Sequence, residues 1–239
     1  MPKYNVKLKK REQVARDTMA FWFDMSGTEF SFRAGQFVDI TLENPPHTDA
    51  EGNTRGFSIA SSPNDRDELL ITTRMRNTAF KNSLKEVPLG TQVLVDGPYG
   101  NFTLKKDASK LAVMIAGGIG ITPMLSMITY AAENRLENRI LLLYSNKTAE
   151  DAAFVSRLRE LERLNKNFRM VAVLTREALQ GYENGHITGE TIKAHVGEPF
   201  KNAVYYVSGP PAMVSEMRKA LEGIGISEDD INTEEFSGY

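Results

Sequence analysis

Hydrophobic and polar residues alternate in short runs along the first half of the chain, which is the pattern of half-buried β-strands. The runs that predict strands are Val6 to Lys10, Val14 to Phe23, Phe37 to Leu42, Phe57 to Ala60, Leu69 to Thr73 and Val93 to Val95. Turn-forming clusters separate these runs, and one short helix is predicted from Ala79 to Glu86. Short strands separated in this way predict a small antiparallel β-barrel.

Strand-like and helix-like segments alternate in the second half. Leu111 to Ala116 is continuously apolar, as expected for a strand buried on both faces. Thr122 and Pro123 predict the N-cap and first residue of a helix, and Thr148 to Asp151 resembles a capping box that opens another. The remaining predicted elements are strands at Ile140 to Tyr144, Phe168 to Leu174, Val204 to Val207 and Ile231 to Phe236, and helices near Glu190 to His195 and from Pro211 to about Glu222. This alternation predicts a doubly wound parallel sheet with right-handed crossovers.

The change in pattern near Asp107 divides the chain into two predicted domains. Residues 1–107 would form the antiparallel barrel, and residues 108–239 would form the α/β domain. A length of 239 residues suits two domains of ordinary size. With 41% apolar and 25% charged residues, the composition is that of a soluble globular protein rather than a disordered one.

Charge and cysteine content exclude several classes of function. The net charge of −2 gives no excess of basic residues that would point to nucleic acid. The chain contains no cysteine, which excludes disulfides, a cysteine nucleophile and a cysteine-ligated iron–sulfur cluster within it. Only three histidines are present, so no metal site is expected, and the lack of cysteine is compatible with the reducing cytoplasm.

One long apolar segment, Leu111 to Ala132, has the length of a membrane span. Its first half contains Gly117, Gly118, Gly120 and Pro123, which disfavour a continuous helix. A buried strand, a glycine turn and a half-buried helix fit the segment better, so no membrane span is expected. The basic residues at the N-terminus precede no apolar run, so no secretory signal is expected either.

The glycine turn from Gly117 to Gly120 is the strongest candidate binding element. It follows an apolar strand and precedes a predicted helix, so backbone amides and the helix N-terminus would face a ligand. This context favours the pyrophosphate of a nucleotide, and a tight strand-to-helix turn without a ligand is the alternative.

A second strand end carries a similar signal at Gly209 and Pro210. Ligands of doubly wound sheets bind at the carboxyl ends of the strands, near the point where the strand order reverses. Two glycine-bearing strand ends on that edge would form one cleft. The alternative for this segment is a proline-started helix after a simple turn.

Arg55, Gly56, Phe57 and Ser58 form a third candidate element, on a predicted barrel strand. The arginine could hold a phosphate in a bidentate pair, and the aromatic ring could stack on a planar ligand. Taken alone, the segment is better interpreted as a barrel strand with a surface arginine and a core phenylalanine.

The order of the motifs carries more information than any one of them. The segments are Arg55 to Ser58, Gly97 to Phe102, Gly117 to Pro123, Gly209 to Met213 and Glu234 to Phe236. In this order and spacing, on a barrel followed by a doubly wound domain, they resemble the ferredoxin–NADP reductase superfamily. The resemblance extends from about Tyr4 to Phe236 and implies a flavoenzyme.

The resemblance implies roles for residues of the barrel. Arg55 would pair with the flavin phosphate, Phe57 would pack on the isoalloxazine, and Ser58 would hydrogen-bond near its reactive N5 atom. Phe57 stands where the family usually has tyrosine. Lys81 stands where a serine usually contacts the phosphate, and a lysine would act there as a point charge. Arg74 would add a further phosphate contact.

For the second domain, the resemblance implies a pyridine-nucleotide site. The turn with Gly117, Gly118 and Gly120 would cradle the nucleotide, and Thr122 would lie close to the nicotinamide. Gly209 and Pro210 would line the same cleft, after Ser208, which replaces the usual cysteine.

The C-terminal residues have implied roles beside the flavin ring. Glu234 would be a proton relay or an electrostatic partner of the flavin. Phe236, and further along Tyr239, could reach a ring, with a docked C-terminus as the alternative for both.

Two loop cations bear on the choice of nucleotide. Lys147 and Arg176 follow successive sheet strands, where a 2′-phosphate could bind, and such binding would favour NADPH over NADH. The alternative is a pair of solvated cations at loop ends.

The expected activity is reduction of a bound flavin by NADPH or NADH, followed by electron delivery to a separate acceptor. FAD is favoured over FMN because Gly97 to Phe102 resembles the FAD branch. The acceptor would be a ferredoxin-like protein, a quinone-like or metal compound, or oxygen. The alternative function is a nucleotide-sensing or regulatory subunit that retains the fold without turnover.

Overall fold

The structure is a computed structural model that describes residues 2–198 and 200–236; Tyr239 lies outside these ranges. In the first half of the described chain, six antiparallel strands form one sheet in the order β4-β3-β6-β1-β2-β5. The elements are β1 (Lys3–Ala15), β2 (Thr18–Asp24), β3 (Phe37–Leu42), β4 (Thr54–Ser58), β5 (Glu68–Arg74), α1 (Ala79–Glu86) and β6 (Gln92–Tyr99). An antiparallel bridge between Ile59 and Ile71 links the end of β4 to β5, so the sheet closes on itself as the predicted barrel.

The second half contains the predicted doubly wound sheet. Its elements are β7 (Leu111–Gly117), α2 (Ile121–Glu133), β8 (Ile140–Asn146), α3 (Val155–Leu164), β9 (Phe168–Leu174), β10 (Glu183–Asn184), α4 (Gly189–Val196), β11 (Ala203–Gly209), α5 (Pro211–Gly223) and β12 (Ile231–Glu235). Among the described residues the strand order is β10-β9-β8-β7-β11-β12, with parallel pairing throughout. Side chains of α2 and α3 pack on one face of the sheet and those of α4 and α5 on the other. The strand order reverses between β7 and β11, and the fold class is confirmed.

The apolar segment Leu111 to Ala132 divides as the sequence predicts. It forms β7, a short 3₁₀ turn and most of α2, which has 13 residues. In the part of the chain that the structure describes, no helix is both long enough and apolar enough to cross a membrane.

The predicted strand from Val14 to Phe23 is wrong because it contains a hairpin turn. β1 ends at Ala15 and β2 begins at Thr18, and Asp17 between them has φ of 51°. Aspartate is one of the few residues that adopt this left-handed conformation readily. Residues on both sides of the turn are β-prone, so the hydrophobic pattern hides the break.

Of the two predicted caps of the second half, the N-cap at Thr122 is wrong, whereas the capping box of Thr148 and Asp151 is present. α2 begins at Ile121, after a 3₁₀ turn over Gly118–Gly120, so Thr122 lies inside the helix and donates to the carbonyl oxygen of Ile119 over 3.0 Å. The backbone N–H of Thr148 does donate to Asp151 over 3.2 Å, but the turn that follows is 3₁₀. α3 begins only at Val155. In both places the chain forms a 3₁₀ turn before the α-helix begins.

One hydrophobic core runs across the boundary between the two halves. Ala34, Ala60 and Phe102 of the first half belong to the same buried cluster as residues of α2, including Met127. The Ser126 hydroxyl, which is fully buried on α2, donates to the carbonyl oxygen of Ser61 over 2.6 Å. The barrel and the α/β domain are therefore packed together along α2.

A charged bridge adds to this contact. Asp151, with a side chain 3% exposed, accepts from Arg16 at 2.7 Å and lies 3.5 Å from Arg74. Burial alone would raise the pKa of Asp151, but hydrogen bonds from Arg16 and Thr148 and the charges of Arg16 and Arg74 outweigh burial and lower it. The aspartate is therefore held ionised between two arginines of the barrel.

Candidate functional site

A cleft lies where the barrel meets the carboxyl edge of the parallel sheet. Its enclosed volume is 140 Å³, which holds only part of a dinucleotide, so the rest of such a ligand would extend along the surface. Seven of the sequence-predicted residues line it, together with side chains that the sequence did not single out. The lining residues are Glu51, Arg55, Gly56, Phe57, Ser58, Thr72, Thr73, Arg74, Thr78, Lys81, Ile119, Thr122 and Phe236.

Ser58, which lines this cleft, is in direct contact with Glu234. The Ser58 hydroxyl at the end of β4 donates to Glu234 Oε2 on β12 over 3.1 Å. Burial raises the pKa of Glu234 to about 7, although the hydrogen bond from Ser58 lowers it in part. A carboxyl group with this pKa can hold or release a proton at neutral pH.

Phe57 belongs to the barrel core and also reaches the cleft. Its ring centroid lies 5.8 Å from that of Phe80. Only 8% of the residue is exposed, so a small part of its surface is open to a ligand.

Cationic side chains gather on the barrel side of the cleft. Lys81, on the first turn of α1, donates to the carbonyl oxygen of Arg74 over 2.8 Å. Burial, together with the nearby charges of Arg76 and Arg55, lowers the pKa of Lys81 to about 8. A phosphate at this place would offset the repulsion between the cations, so the donor set fits the phosphate of a flavin nucleotide.

Arg55 is already engaged by acidic and backbone oxygens. Its guanidinium lies 2.7 Å from Glu51 and 3.6 Å from Asp49, and it donates to the carbonyl oxygen of Gly52 over 3.2 Å. It also lies over the ring of Phe80, 5.5 Å from its centroid. A phosphate at the cleft would therefore compete with Glu51 for Arg55.

Thr72 is a cleft residue that sequence reasoning missed. Its hydroxyl is buried and, among the described residues, has no hydrogen-bond partner. Thr72 and Thr73 are both buried at the end of β5, where strict alternation would expose one of them. In the sequence, the signal that could have identified this part of the cleft is the pair of consecutive threonines, which interrupts the alternation of the strand.

Glycines let the ends of β7 and β11 approach each other. A Cβ atom on Gly120 would collide with the carbonyl of Ser208, and one on Gly117 or Gly209 would collide with the Met213 side chain. Packing alone therefore requires glycine at position 120, because the Ser208 carbonyl is fixed backbone, whereas the Met213 side chain can move. Gly118 is half-buried with φ of 53°, so it is the glycine of the turn that needs left-handed backbone at the surface.

The remaining predicted residues are placed differently. Pro210 caps α5, beside the cleft residue Phe236, whose backbone N–H donates to the carbonyl oxygen of Gly209 over 3.1 Å. Arg176 is exposed after β9 and does not line the cleft. Its backbone N–H bonds to the carbonyl oxygen of Lys147, which brings the two predicted loop cations together.

A second cavity of 320 Å³ lies on the α/β domain next to the glycine turn. Ser145 at the end of β8, Thr188 at the start of α4 and Met213 at the start of α5 line it. Helix N-termini and a strand end converge there, which is the usual place for a nucleotide in a doubly wound sheet. The sequence did not single out this group, because its members come from three distant segments.

Two family models match the chain. Residues 5–104 match the oxidoreductase FAD-binding domain, and residues 114–219 match the oxidoreductase NAD-binding domain. The matched ranges coincide with the barrel and with most of the parallel-sheet domain.

Two curated relatives are about 30% identical to this chain over the aligned residues. NADH-cytochrome b5 reductase 1 of Aspergillus terreus is 31% identical over 206 residues, covering 81% of this chain and 68% of the relative. The reductase component of propane 2-monooxygenase from Mycolicibacterium goodii is 28% identical over 218 residues, covering 87% of this chain and 60% of the relative. The chain thus spans about 60% of the length of that component.

Solved structures share the fold at lower identity. A cytochrome P450 reductase from Amycolatopsis has a TM-score of 0.85 at 24% identity, covering 98% of this chain and 70% of that one. A ferredoxin NADP⁺ reductase from Neisseria gonorrhoeae, solved with FAD and NADP, has a TM-score of 0.81 at 20% identity, covering 98% and 99%.

Proposed function

Because the chain belongs to the ferredoxin–NADP reductase superfamily of FAD-dependent NAD(P)H oxidoreductases, we propose that it oxidises NADPH or NADH and passes the electrons through FAD to a separate acceptor. The observation that carries the proposal is the contact between Ser58 and Glu234. It joins the FAD-binding half to the NAD-binding half at one cleft, where two rings would have to meet.

A bound flavin supplies the redox chemistry, since it accepts two electrons from a pyridine nucleotide and can release them one at a time. The chain itself binds and orients. Lys81 and Arg74 lie beside Arg55 in the cleft, and the three cations would hold the flavin phosphate. The buried hydroxyl of Thr72, together with Phe57, would contact the ring system.

Ser58 and Glu234 would control the proton near the reacting ring. With a pKa of about 7, Glu234 can carry a proton at neutral pH and share it through the Ser58 hydroxyl. Ser58 and Thr122 both line the cleft, and Glu234 is joined to it through Ser58. The packed contact along α2 would keep water from the junction of the two domains and hold the two binding halves in register.

The nucleotide would bind along the carboxyl edge of the parallel sheet. Gly118 offers the exposed backbone of the turn between β7 and α2, and the helix N-terminus behind it favours a pyrophosphate. The cavity beside Ser145 and Met213 would receive the rest of the nucleotide.

The acceptor is proposed to lie outside these 239 residues. Two kinds of relative support this: a reductase component of propane 2-monooxygenase and a reductase component of terephthalate 1,2-dioxygenase. By its name each is one component of a larger system. We infer an acceptor of the same general kind, a separate redox protein, with a small molecule as the second candidate.

The experiment is anaerobic titration of the purified protein with NADPH and with NADH. The protein should show flavin absorption bands that bleach on addition of one nucleotide, and the cofactor released by heat should chromatograph as FAD. FMN in its place would contradict the choice of flavin. Bound flavin that neither nucleotide bleaches would favour a non-catalytic nucleotide-sensing subunit.

A further inference from the structure

A cavity of 480 Å³ lies in the groove between the two domains, apart from the cleft. Residues of the barrel, such as Phe32 and Leu104, form one wall, and residues of α2 and the loop after it, such as Tyr130 and Leu136, form the other. We propose that this cavity is a binding site for an organic anion with an apolar body, a function beyond the electron transfer proposed above.

The size and lining of the cavity suit the apolar body of a small ligand. Its volume falls within the range of about 300–1,000 Å³ that is typical of small-molecule sites. Leu104, Met127 and Leu136 offer aliphatic surface, and the rings of Phe32 and Tyr130 offer aromatic surface. A fused two-ring system or a medium-length acyl chain would cover these side chains and remove them from water.

The charges around the cavity select an anion. Arg33, Lys105 and Lys106 line it, and no aspartate or glutamate is among the described residues that do. Arg33 donates to the Thr103 hydroxyl over 2.8 Å, a neutral partner that leaves its charge uncompensated. Within residues 2–198 and 200–236, none of these cations forms an ion pair with a carboxylate of the chain.

Two of the acidic residues that are near in sequence, Glu133 and Asp107, are engaged by other groups. Glu133, at the end of α2, accepts from the Ser62 hydroxyl and the Asn64 amide on the far side of Pro63. Asp107, next to Lys106, accepts from the backbone N–H of Ser109 over 2.9 Å. A carboxylate or sulfonate in the cavity would thus meet positive charge without a competing acid in the lining.

The cavity is separate from the cofactor cleft, and one helix connects them. Thr122 on the first turn of α2 lines the cleft, whereas Met127 and Tyr130 on its later turns line the cavity. Thr122 and Tyr130 are eight residues apart, which corresponds to about 12 Å along the helix axis. A ligand of the cavity would therefore contact both domains without touching the flavin.

The test is calorimetric titration of the FAD-loaded protein with three probes: 2-naphthoate, decanoate and the neutral 2-naphthalenemethanol. Occupation of the cleft by FAD directs the probes elsewhere. We expect at least one of the two carboxylates to bind one to one, and the alcohol to bind at least about tenfold more weakly than 2-naphthoate if the aromatic probe binds. The preferred carboxylate distinguishes an aromatic ligand from an acyl ligand.

Variants locate the site. The double substitution Lys105→Ala and Lys106→Ala should weaken binding about tenfold, and Leu136→Trp should abolish it by filling the cavity. The matched control is Lys166→Ala with Arg169→Ala, which removes two exposed cations at the amino edge of the parallel sheet and should change nothing. FAD content reports folding in each variant.

Three results would overturn the proposal. The first is no heat from either carboxylate at millimolar concentration, and the second is equal affinity for 2-naphthoate and the alcohol. The third is binding that is unchanged in the double variant Lys105→Ala, Lys106→Ala and also unchanged in Leu136→Trp. If one variant loses both FAD and ligand binding, the other variant decides the question. The two are independent because Lys105 and Lys106 lie in the barrel domain and Leu136 lies in the α/β domain.

Discussion

Ser58 and Glu234, which are 176 positions apart in the sequence, are joined by a hydrogen bond of 3.1 Å from the hydroxyl to the carboxylate. Ser58 ends a strand of the barrel and Glu234 lies on the last strand of the parallel sheet, paired in register with Ser208. The contact therefore exists only when both domains are folded and in place. The protonation of Glu234 makes stability depend on pH, and this dependence reports on the junction directly.

Glu234→Gln should remove a pH dependence of stability. The pKa of Glu234 is raised from 4.5 to about 7, so between these values the folded protein binds more protons than the unfolded chain. The contribution of Glu234 to stability therefore falls as pH rises through this window and is level on either side of it. Urea midpoints between pH 4 and 8, on protein freed of flavin, should fall with pH more steeply for the parent than for the variant.

Ser58→Ala tests the hydrogen bond in the same measurement. The hydroxyl lowers the pKa of Glu234, so its removal should extend the window to higher pH. Glu235→Gln, on the exposed neighbouring residue, is the matched control and should leave the slope unchanged. Equal slopes for the parent and Glu234→Gln would contradict a buried carboxyl at this junction.

Arg55→Ala and Glu51→Gln should change flavin affinity in opposite directions. Loss of a charge-assisted pair with phosphate costs about 2 kcal/mol, or roughly 30-fold in Kd for FAD. Glu51 holds the Arg55 guanidinium at 2.7 Å, so neutralising it frees the arginine and should tighten FAD binding. Fluorescence titration of apoprotein with FAD measures both.

The control for this pair is Glu12→Gln, which removes an exposed partner of Lys10 on β1. It should leave FAD affinity unchanged. Weaker binding in Glu51→Gln would mean that the carboxylate orients Arg55 rather than competes for it.

Gly118→Val should impair use of the nucleotide and spare the flavin. At φ of 53° a β-branched side chain is strained by about 1–2 kcal/mol, and the turn between β7 and α2 must move. A displaced turn would raise the KM for NADPH or NADH by about tenfold or more, because it misplaces the nicotinamide. The flavin absorption should persist, since the barrel is unaltered.

Gly197→Val separates strain from position. Gly197 has φ of 70° with open space around it, at the end of α4, so the same strain is imposed away from the turn. This variant should lose stability and keep its KM. Similar KM changes in both variants would argue against a nucleotide at Gly118.

Arg176→Ala should distinguish the two nucleotides. If the exposed guanidinium after β9 binds a 2′-phosphate, its loss raises the KM for NADPH by about tenfold and leaves that for NADH unchanged. Steady-state kinetics with both nucleotides, in the parent and in the control Arg169→Ala, measure this. An equal response to both nucleotides would identify Arg176 as a solvated loop cation.

Asp151→Asn should destabilise the protein far more than Glu150→Gln. Asp151 is 3% exposed between Arg16 and Arg74, whereas Glu150 is 77% exposed beside Arg16. Because Arg16 remains 45% exposed, the expected loss is about 2 kcal/mol, below that for a fully buried pair, against less than about 1 kcal/mol for Glu150. Denaturant unfolding at pH 7 measures both.

The pH dependence of the Asp151 effect has a definite sign. The folded-state pKa of Asp151 is lowered, so its contribution is present above the usual value of 3.8 and is lost as pH falls through the folded-state pKa. The parent and Asp151→Asn should therefore converge in stability in acid. A difference that stays constant on acidification would contradict an ionised bridge.

The sequence predicted the elements whose signals are local. α1 begins at Ala79 and ends at Glu86 as expected, because Thr78 caps it and Pro88 follows it. The glycines at the ends of β7 and β11 likewise predicted the carboxyl edge of the parallel sheet. In each case a short run of residues contains the physical cause.

Features that depend on distant partners were not readable in this way. The hairpin at Asp17 lies between β-prone runs, and its left-handed conformation leaves no mark in the hydrophobic pattern. Thr72 gains its place in the cleft from the closing of the barrel, and Ser58 meets Glu234 only when the two domains pack together. Such contacts depend on tertiary packing rather than on local propensity.

The core shared by α2 and the barrel limits how this reductase can be recombined with its relatives. A chimera joined near residue 107 would bring Ala34, Ala60 and Phe102 against a foreign helix in place of the one that carries Met127. Either a void or an overlap would result unless both sides were exchanged together. When domains of this fold are exchanged, in nature or by design, the face of α2 that packs on the barrel should therefore move together with the barrel. This holds for any nucleotide or acceptor that the new domain binds.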